Sequence, residues 1–322
     1  MDIERKDLII AKTIGEPIDV NFRVPVALSA IADLDTVEAG EKLFNLAQYD
    51  EDVDEVLDIE ADGRVNVVKV DPKTDTILTF KGLNSRMKYV LLDTILSGAA
   101  GQGNPDLAVL GRKKEAITRA MDKLELYRIL KAIIDAAAVE EISYDTGEDL
   151  YDVIMKAKHA VEDYGDNYVL LCGSAVKEAI DLYSKKKVAS HYYDVSLVDL
   201  LAKLKVEVIK VIGQVRTGTI ASSATVRLLD TNKFILVARN STLTAGKPIH
   251  FVRRKIPANI AAQMGGKVDE LERGLFVTSF PINIGGTNPN VLGYGVYGFE
   301  SIVEVIKNPK AIKKSVDLSA IL

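Results

Sequence analysis

The stretch that decides the fold spans residues 111–138 and reads GRKKEAITRAMDKLELYRILKAIIDAAA. Its apolar residues recur at steps of three and four, which predicts one buried face of an α-helix. They are Ile117, Met121, Leu124, Ile129, Leu130, Ile133, Ile134 and Ala137. Such a helix would be roughly 40 Å long, well beyond the usual length of about three turns. It is either the spine of an elongated subunit or a core helix of an α/β enzyme, and this segment alone leaves both open.

The composition sets limits on fold and function. The chain has 322 residues, of which 48% are hydrophobic and 27% are charged, as expected of a globular protein with one or two domains. A net charge of −5 gives no basic excess for reading nucleic-acid sequence. One cysteine excludes an internal disulfide, and three histidines offer little material for a metal cluster. No apolar run approaches the ~18 residues of a membrane span, so we expect no membrane partner.

The sequence before the long helix predicts an arm and a ribbon. Residues 13–25 (TIGEPIDVNFRVP) contain one Gly and two Pro, which favour an extended path. Residues 41–62 are strongly acidic and are either a solvated face or a contact with a basic surface of another subunit. Residues 64–70 and 76–80 predict a β-hairpin, which residues 87–92 could extend. An isolated hairpin is marginal in water, so this one needs a partner surface.

The sequence after the long helix predicts a mixed α/β layer followed by a strand-rich return. Helices are predicted at 148–164 and 174–183, and strands at 168–172, 206–212 and 233–238. Beyond residue 246 the predicted strands are 248–253, 274–280 and 291–305.

Three motifs resemble enzyme signatures, and each has a simpler structural interpretation. Residues 293–298 (GYGVYG) match the spacing of a dinucleotide-binding fingerprint, but β-prone sequence follows them, which favours glycines within a strand. Asp145-Thr146-Gly147 resembles an aspartic-protease triplet, but it occurs once and two carboxylates must share such a site. Cys172 has an apolar flank, which favours a buried thiol over a nucleophile. We therefore expect no enzymatic activity, no cofactor and no metal.

The order of segments resembles the major capsid protein of tailed bacteriophages, which has the Hong Kong 97-type shell fold. Residues 65–92 look like its projecting loop, residues 115–138 like its spine helix and residues 149–187 like its axial region. Residues 234–255 and 293–312 look like its late strands. The fold that this implies is α+β. The implied domains are an N-terminal arm (1–40), a projecting β-hairpin loop (41–92), a peripheral domain (93–148 and 246–322, with the spine at 111–138) and an axial domain (149–245).

The resemblance also implies a function and partners. The expected function is self-assembly into an icosahedral shell that encloses a double-stranded DNA genome. The alternatives are an encapsulin-type compartment and an unrecognised α/β metabolic enzyme. The expected partners are other copies of the chain in pentamers and hexamers, DNA by non-specific contact, and scaffolding, portal and decoration proteins. The expected location is the virion, after assembly in the host cytoplasm.

Charged residues are the candidates for subunit contacts. The acidic run supplies negative groups that could face basic groups of an adjacent subunit. A short basic cluster after a predicted strand is either a subunit contact or a solvated turn. The candidate residues are Asp50, Asp52, Asp54, Glu55, Lys113, Lys114, Arg253 and Arg254.

Overall fold

The structure is a computed structural model, and it describes ten segments of the chain. They are residues 24–37, 43–45, 76–78, 84–91, 105–182, 196–218, 222–241, 246–255, 275–283 and 292–322. The helices in these segments are α1 (Val24–Ile31), α2 (Pro105–Asp135), α3 (Leu150–His159), α4 (Ser174–Leu182) and α5 (Leu197–Lys203), with a 3₁₀ turn at Glu162–Tyr164.

The same segments contain fifteen strands. They are β1 (Ala32–Val37), β2 (Leu43–Asn45), β3 (Thr76–Leu78), β4 (Asn84–Leu91), β5 (Glu140–Ile142), β6 (Asn167–Cys172), β7 (Val206–Lys210), β8 (Gln214–Gly218), β9 (Ser223–Arg227), β10 (Phe234–Arg239), β11 (Ile249–Arg254), β12 (Leu275–Asn283), β13 (Leu292–Glu300), β14 (Ile302–Ile306) and β15 (Ile312–Ser315).

Helix α2 is the predicted long helix, and it has 31 residues. It begins at Pro105, a residue suited to the first turn because Pro has no N–H to leave unpaired there. Near its end, Lys314 Nζ donates to the backbone oxygens of Ile134 and Ala136 at 2.7 and 3.4 Å. A cation at this end also complements the helix dipole.

The buried face of α2 differs in part from the predicted stripe. The fully buried apolar residues are Ile117, Met121, Leu126, Ile129, Leu130 and Ile133. Leu126 was missed by the sequence pattern. Ile134 was assigned to the buried stripe and is 38% exposed, and Ala137 lies beyond the end of the helix.

A five-stranded mixed sheet lies beside the C-terminal half of α2. Its order is β5-β15-β10-β6-β7, with β5/β15 and β6/β7 parallel and the two inner pairs antiparallel. Val169 and Leu171 of β6 face the core that contains α1 and α2, whereas Leu170 and Cys172 face the core that contains α3, α4 and α5. Because both faces are covered, β6 and β10 are almost continuously apolar in sequence.

The described chain also contains two three-stranded sheets and two antiparallel two-stranded sheets, β2-β3 and β8-β9. One three-stranded sheet has the order β1-β11-β14, with β1 parallel and β14 antiparallel to β11. The other three-stranded sheet has the order β12-β13-β4 and is antiparallel, and it packs against α2. A single residue, Ser301, separates β13 from β14, so the two three-stranded sheets meet there.

Strand β4 corrects one prediction. The sequence suggested that residues 87–92 extend the preceding hairpin, but β4 pairs over eight residues with β13 near the other end of the chain. Strand β3 is present as predicted, and its described partner is β2. Residues 64–70, the predicted first strand of the hairpin, lie outside the described residues. The strand predicted at 291–305 divides into β13 and β14.

Some sheets contain strands from more than one of the domains predicted from the sequence. Residues 24–37 were assigned to an N-terminal arm, but α1 is buried in the main core and β1 pairs with β11. β5 and β15 were assigned to the peripheral domain, but both lie in one sheet with β6, β7 and β10. The division into arm, loop, peripheral and axial domains stays a prediction.

Candidate assembly surfaces

A buried ion pair joins α2 to β11. Arg253 Nε and Nη2 donate to Glu125 Oε1 and Oε2, each at 2.7 Å, and the two side chains are 8% and 0% exposed. The Arg253 guanidinium carbon also lies 5.2 Å from the centre of the Phe251 ring. A two-point contact of this kind fixes the orientation of both groups. It therefore links the helix to the sheet by two buried hydrogen bonds.

Strand β1, at the edge of its sheet, is held by contacts between charged and polar side chains. Lys307 Nζ lies 3.0 Å from Asp33 Oδ2, and Lys247 Nζ lies 4.0 Å from Asp33 Oδ1. His250 Nε2 lies 2.7 Å from Asp35 Oδ2. Charged residues on an edge strand discourage uncontrolled pairing with other chains. These contacts tie the segment that follows α1 to the body of the subunit.

Strand β15 lies inside the five-stranded sheet, between β5 and β10. Ser315 Oγ accepts a hydrogen bond of 2.9 Å from the backbone N–H of Phe234, and both residues are buried. Lys313, also buried, forms an ion pair with Glu140 of β5. Leu318, just beyond the strand, is fully buried. Residues 312–315 are therefore part of this sheet, and Leu318 packs in the core beside it.

The candidate contact residues fall into three groups. Asp50, Asp52, Asp54 and Glu55 lie outside the described residues. Lys113 and Lys114 lie within α2, where the structure describes their backbone only.

The third group lies at the end of β11. Arg253 is buried against Glu125, and Arg254 is half-buried, with its N–H donating to the backbone oxygen of Ser301 at 2.9 Å. The contact role of all eight candidates stays a prediction, although Arg253 is already engaged within its own chain.

Sequence reasoning missed Glu125, the partner of Arg253. The sequence does contain a signal for Glu125, because this residue lies four positions after Met121 and four positions before Ile129, on the apolar face of α2. An acidic residue at a buried position of a helix requires a cationic or hydrogen-bonding partner. The identity of that partner was not accessible from local sequence, since Arg253 is 128 positions away.

The three enzyme-like motifs occupy ordinary structural positions. Residues 293–298 lie inside β13, the central strand of its sheet. Asp145 lies in a turn before α3, where its N–H donates to Glu148 Oε2 at 2.8 Å and Gly147 has a φ of +95°. Cys172 is buried, and burial raises the pKa of its thiol to about 12. A thiol with that pKa is protonated at neutral pH and is a poor nucleophile.

Neither metal-binding clusters nor membrane spans occur in the described segments. Within them, no group of three or more His, Cys, Asp and Glu side chains is arranged to hold a metal ion. Of the helices that the structure describes, none combines the length and the apolar character needed to cross a membrane.

The arrangement of one long helix, a mixed five-stranded sheet and two three-stranded sheets is the α+β fold of the Hong Kong 97 type that the sequence predicted. One solved structure that shares it is a phage-related protein from Bordetella bronchiseptica, with a TM-score of 0.56 and 12% identity. That match covers 96% of each chain. At this identity the similarity shows the fold alone, and the fold-class prediction is confirmed.

Two further solved structures give lower scores. An encapsulin complex from Synechococcus elongatus has a TM-score of 0.49 and 13% identity, covering 94% of this chain and 91% of the other. A virus-like particle from Pyrococcus furiosus has a TM-score of 0.47 and 13% identity, covering 93% of this chain and 100% of the other. No family model matches the chain, and no curated protein matches it in sequence.

Proposed function

We propose that this chain is the major capsid protein of a tailed bacteriophage and assembles into an icosahedral shell around double-stranded DNA. The observation that carries the proposal is the fold, shared over 96% of the chain with a phage-related protein. The role is structural. Its units are pentamers and hexamers of the chain, formed in the host cytoplasm and retained in the virion.

A shell subunit must bury a large area against several neighbours, well over ~1,000 Å² for each stable contact. Extended segments that cannot be stable alone supply such area, since they become ordered against a partner. In this proposal the N-terminal arm and the projecting loop provide these contacts, and α2 backs the outer part of the subunit. Scaffolding, portal and decoration proteins are the further partners, and DNA contacts are non-specific.

The acidic segment supplies a specific subunit contact in this proposal. Asp52, Asp54 and Glu55 would face Lys113 and Lys114 of an adjacent copy. Ion pairs at a solvated contact weaken as salt screens them. Reversing the three acidic charges should therefore reduce assembly at low salt and flatten its salt dependence, and unchanged assembly would refute this contact.

Assembly of the purified chain tests the proposal. The chain is expressed with and without a co-expressed scaffolding protein, and the products are separated by sedimentation and imaged by electron microscopy. We expect closed particles, or rings of five and six subunits. A monomer under every assembly condition would contradict the proposal.

The content of the particles separates a virus shell from a cargo compartment. Particles from infected cells should contain nuclease-protected double-stranded DNA. Particles that instead enclose a single host enzyme and no DNA would refute the genome-enclosing role and indicate an encapsulin-type compartment. A discrete small oligomer with a small molecule in a polar, concave pocket would indicate the metabolic enzyme.

A further inference from the structure

The long helix α2 packs against two separate apolar clusters. Towards its N-terminal half, Ile117 and Met121 pack with Val296 of β13. From Leu126 to Ile133 the helix packs in the main core, which also contains α1 and one face of the five-stranded sheet. In the described residues these clusters are distinct. The helix therefore connects the β12-β13-β4 sheet to the rest of the subunit.

On α2, Glu125 lies between Met121, which belongs to the cluster with Val296, and Leu126, which belongs to the main core. Its partner Arg253 belongs to β11, the central strand of the β1-β11-β14 sheet. The neighbouring residue Arg254 donates its N–H to Ser301, the residue that joins β13 to β14. Glu300, at the end of β13, is fully buried. The Glu125–Arg253 pair thus lies where the helix and both three-stranded sheets meet.

A buried ion pair at such a junction has a different effect from an apolar contact. Taking two charges out of water offsets much of their attraction, so replacing a buried pair with apolar side chains is often neutral for stability. Apolar contacts are non-directional, so each of them specifies the orientation of its partners less sharply than a hydrogen bond does. The planar guanidinium and the carboxylate are joined by two hydrogen bonds, so a movement of the helix along or around its axis breaks at least one of these hydrogen bonds.

We propose that the Glu125–Arg253 pair is a positioning contact that fixes the β12-β13-β4 sheet relative to the rest of the subunit. The consequence for assembly rests on the proposed shell function. The angle between the parts of a subunit sets the angle between its contacts with neighbours, and hence the curvature of the shell. The pair would then determine particle size more than subunit stability.

Two variants remove the two-point contact in different ways. Glu125→Leu with Arg253→Met keeps the site filled and removes both charges. Arg253→Lys keeps the charge but loses the fork that reaches both carboxylate oxygens. The matched control is Lys131→Met with Asp135→Leu, which removes an ion pair of 2.8 Å on the same helix whose side chains are 55% and 58% exposed.

The first measurement is amide hydrogen exchange of the unassembled subunit, with exchange in β13 divided by exchange in β6 to correct for global stability. We expect both variants to be folded and this ratio to rise roughly tenfold, because β13 loses its fixed position while β6 does not. The control should keep the wild-type ratio. A wild-type ratio in either folded variant would overturn the proposal.

The second measurement is the distribution of particle diameters by electron microscopy. Wild-type protein and the control should give particles of one diameter, whereas both variants should give particles of more than one diameter. Variants that form wild-type shells would overturn the role in curvature. If the wild-type chain forms no shell, the proposed function fails, and the exchange ratio still decides whether the pair positions the sheet.

Discussion

Two isoleucines on α2 test which face of this helix packs in the core of the subunit. Ile129 is 1% exposed and belongs to the main core, whereas Ile134 is 38% exposed. Both fit the apolar periodicity of the sequence equally well. Replacing each with Ala makes the same chemical change at two positions of one helix, so a difference in stability reports the packing around each side chain.

The expected losses follow from burial. Ile→Ala removes roughly three methyl or methylene groups, and at ~0.8 kcal/mol for each buried group this gives ~2.4 kcal/mol. The cavity left at a fully buried site adds to this, so we expect Ile129→Ala to cost about 3–4 kcal/mol. Ile134 already contacts water in the folded state, so its replacement should cost about 1 kcal/mol or less.

Urea denaturation of the unassembled protein measures both losses. Assembly must be avoided, because binding to other copies stabilises the folded state by mass action. Far-UV circular dichroism and tyrosine fluorescence follow the transition, since the chain has 12 Tyr and no Trp. Equal losses for the two variants, or a larger loss for Ile134→Ala, would refute the assigned packing of α2.

Three further predictions concern the five-stranded sheet and a loop beside it. The Cys172 thiol should react with thiol reagents only when the protein is unfolded, because it is buried with a pKa near 12; rapid labelling of native protein would contradict its burial. Ser315→Ala should lower the free energy of unfolding by about 1–3 kcal/mol, because the buried N–H of Phe234 loses its acceptor. An unchanged free energy of unfolding, measured by urea denaturation, would contradict this. Hydrogen bonds from the Ser241 side chain and backbone lower the pKa of the Asp166 carboxyl. The ionised carboxylate therefore stabilises the folded state at pH values above the ordinary Asp pKa, and this stabilisation is lost as the pH falls through the lowered pKa. The stability deficit of Asp166→Asn should therefore be largest near neutral pH and should shrink in acid, and a deficit independent of pH would contradict this.

Local sequence patterns predicted most of the elements. The periodicity of residues 111–138 located the long helix, and the apolar runs at 168–172 and 233–238 located β6 and β10. These elements are readable because side-chain burial repeats with the period of the backbone. The order of the elements was enough to predict the fold class. Residues 293–298 and Asp145 were also correctly assigned to a strand and a turn.

Pairings between distant segments were not readable from one sequence. β4 pairs with β13, and β15 lies between β5 and β10, because strand partners depend on the whole topology. No local pattern specifies such contacts. The same limit applies to the candidate contact site: the local sequence around Arg253 indicates a subunit contact or a solvated turn, but its buried partner Glu125 lies on a helix far away in sequence.

A cryo-electron-microscopy reconstruction of the assembled protein tests the central claim most directly. We expect a closed icosahedral particle built from rings of five and six copies, with α2, the five-stranded sheet and the two three-stranded sheets recognisable in each subunit. The contradicting result is a protein that stays monomeric, or forms one small oligomer with no closed particle, under every assembly condition and with a scaffolding partner present.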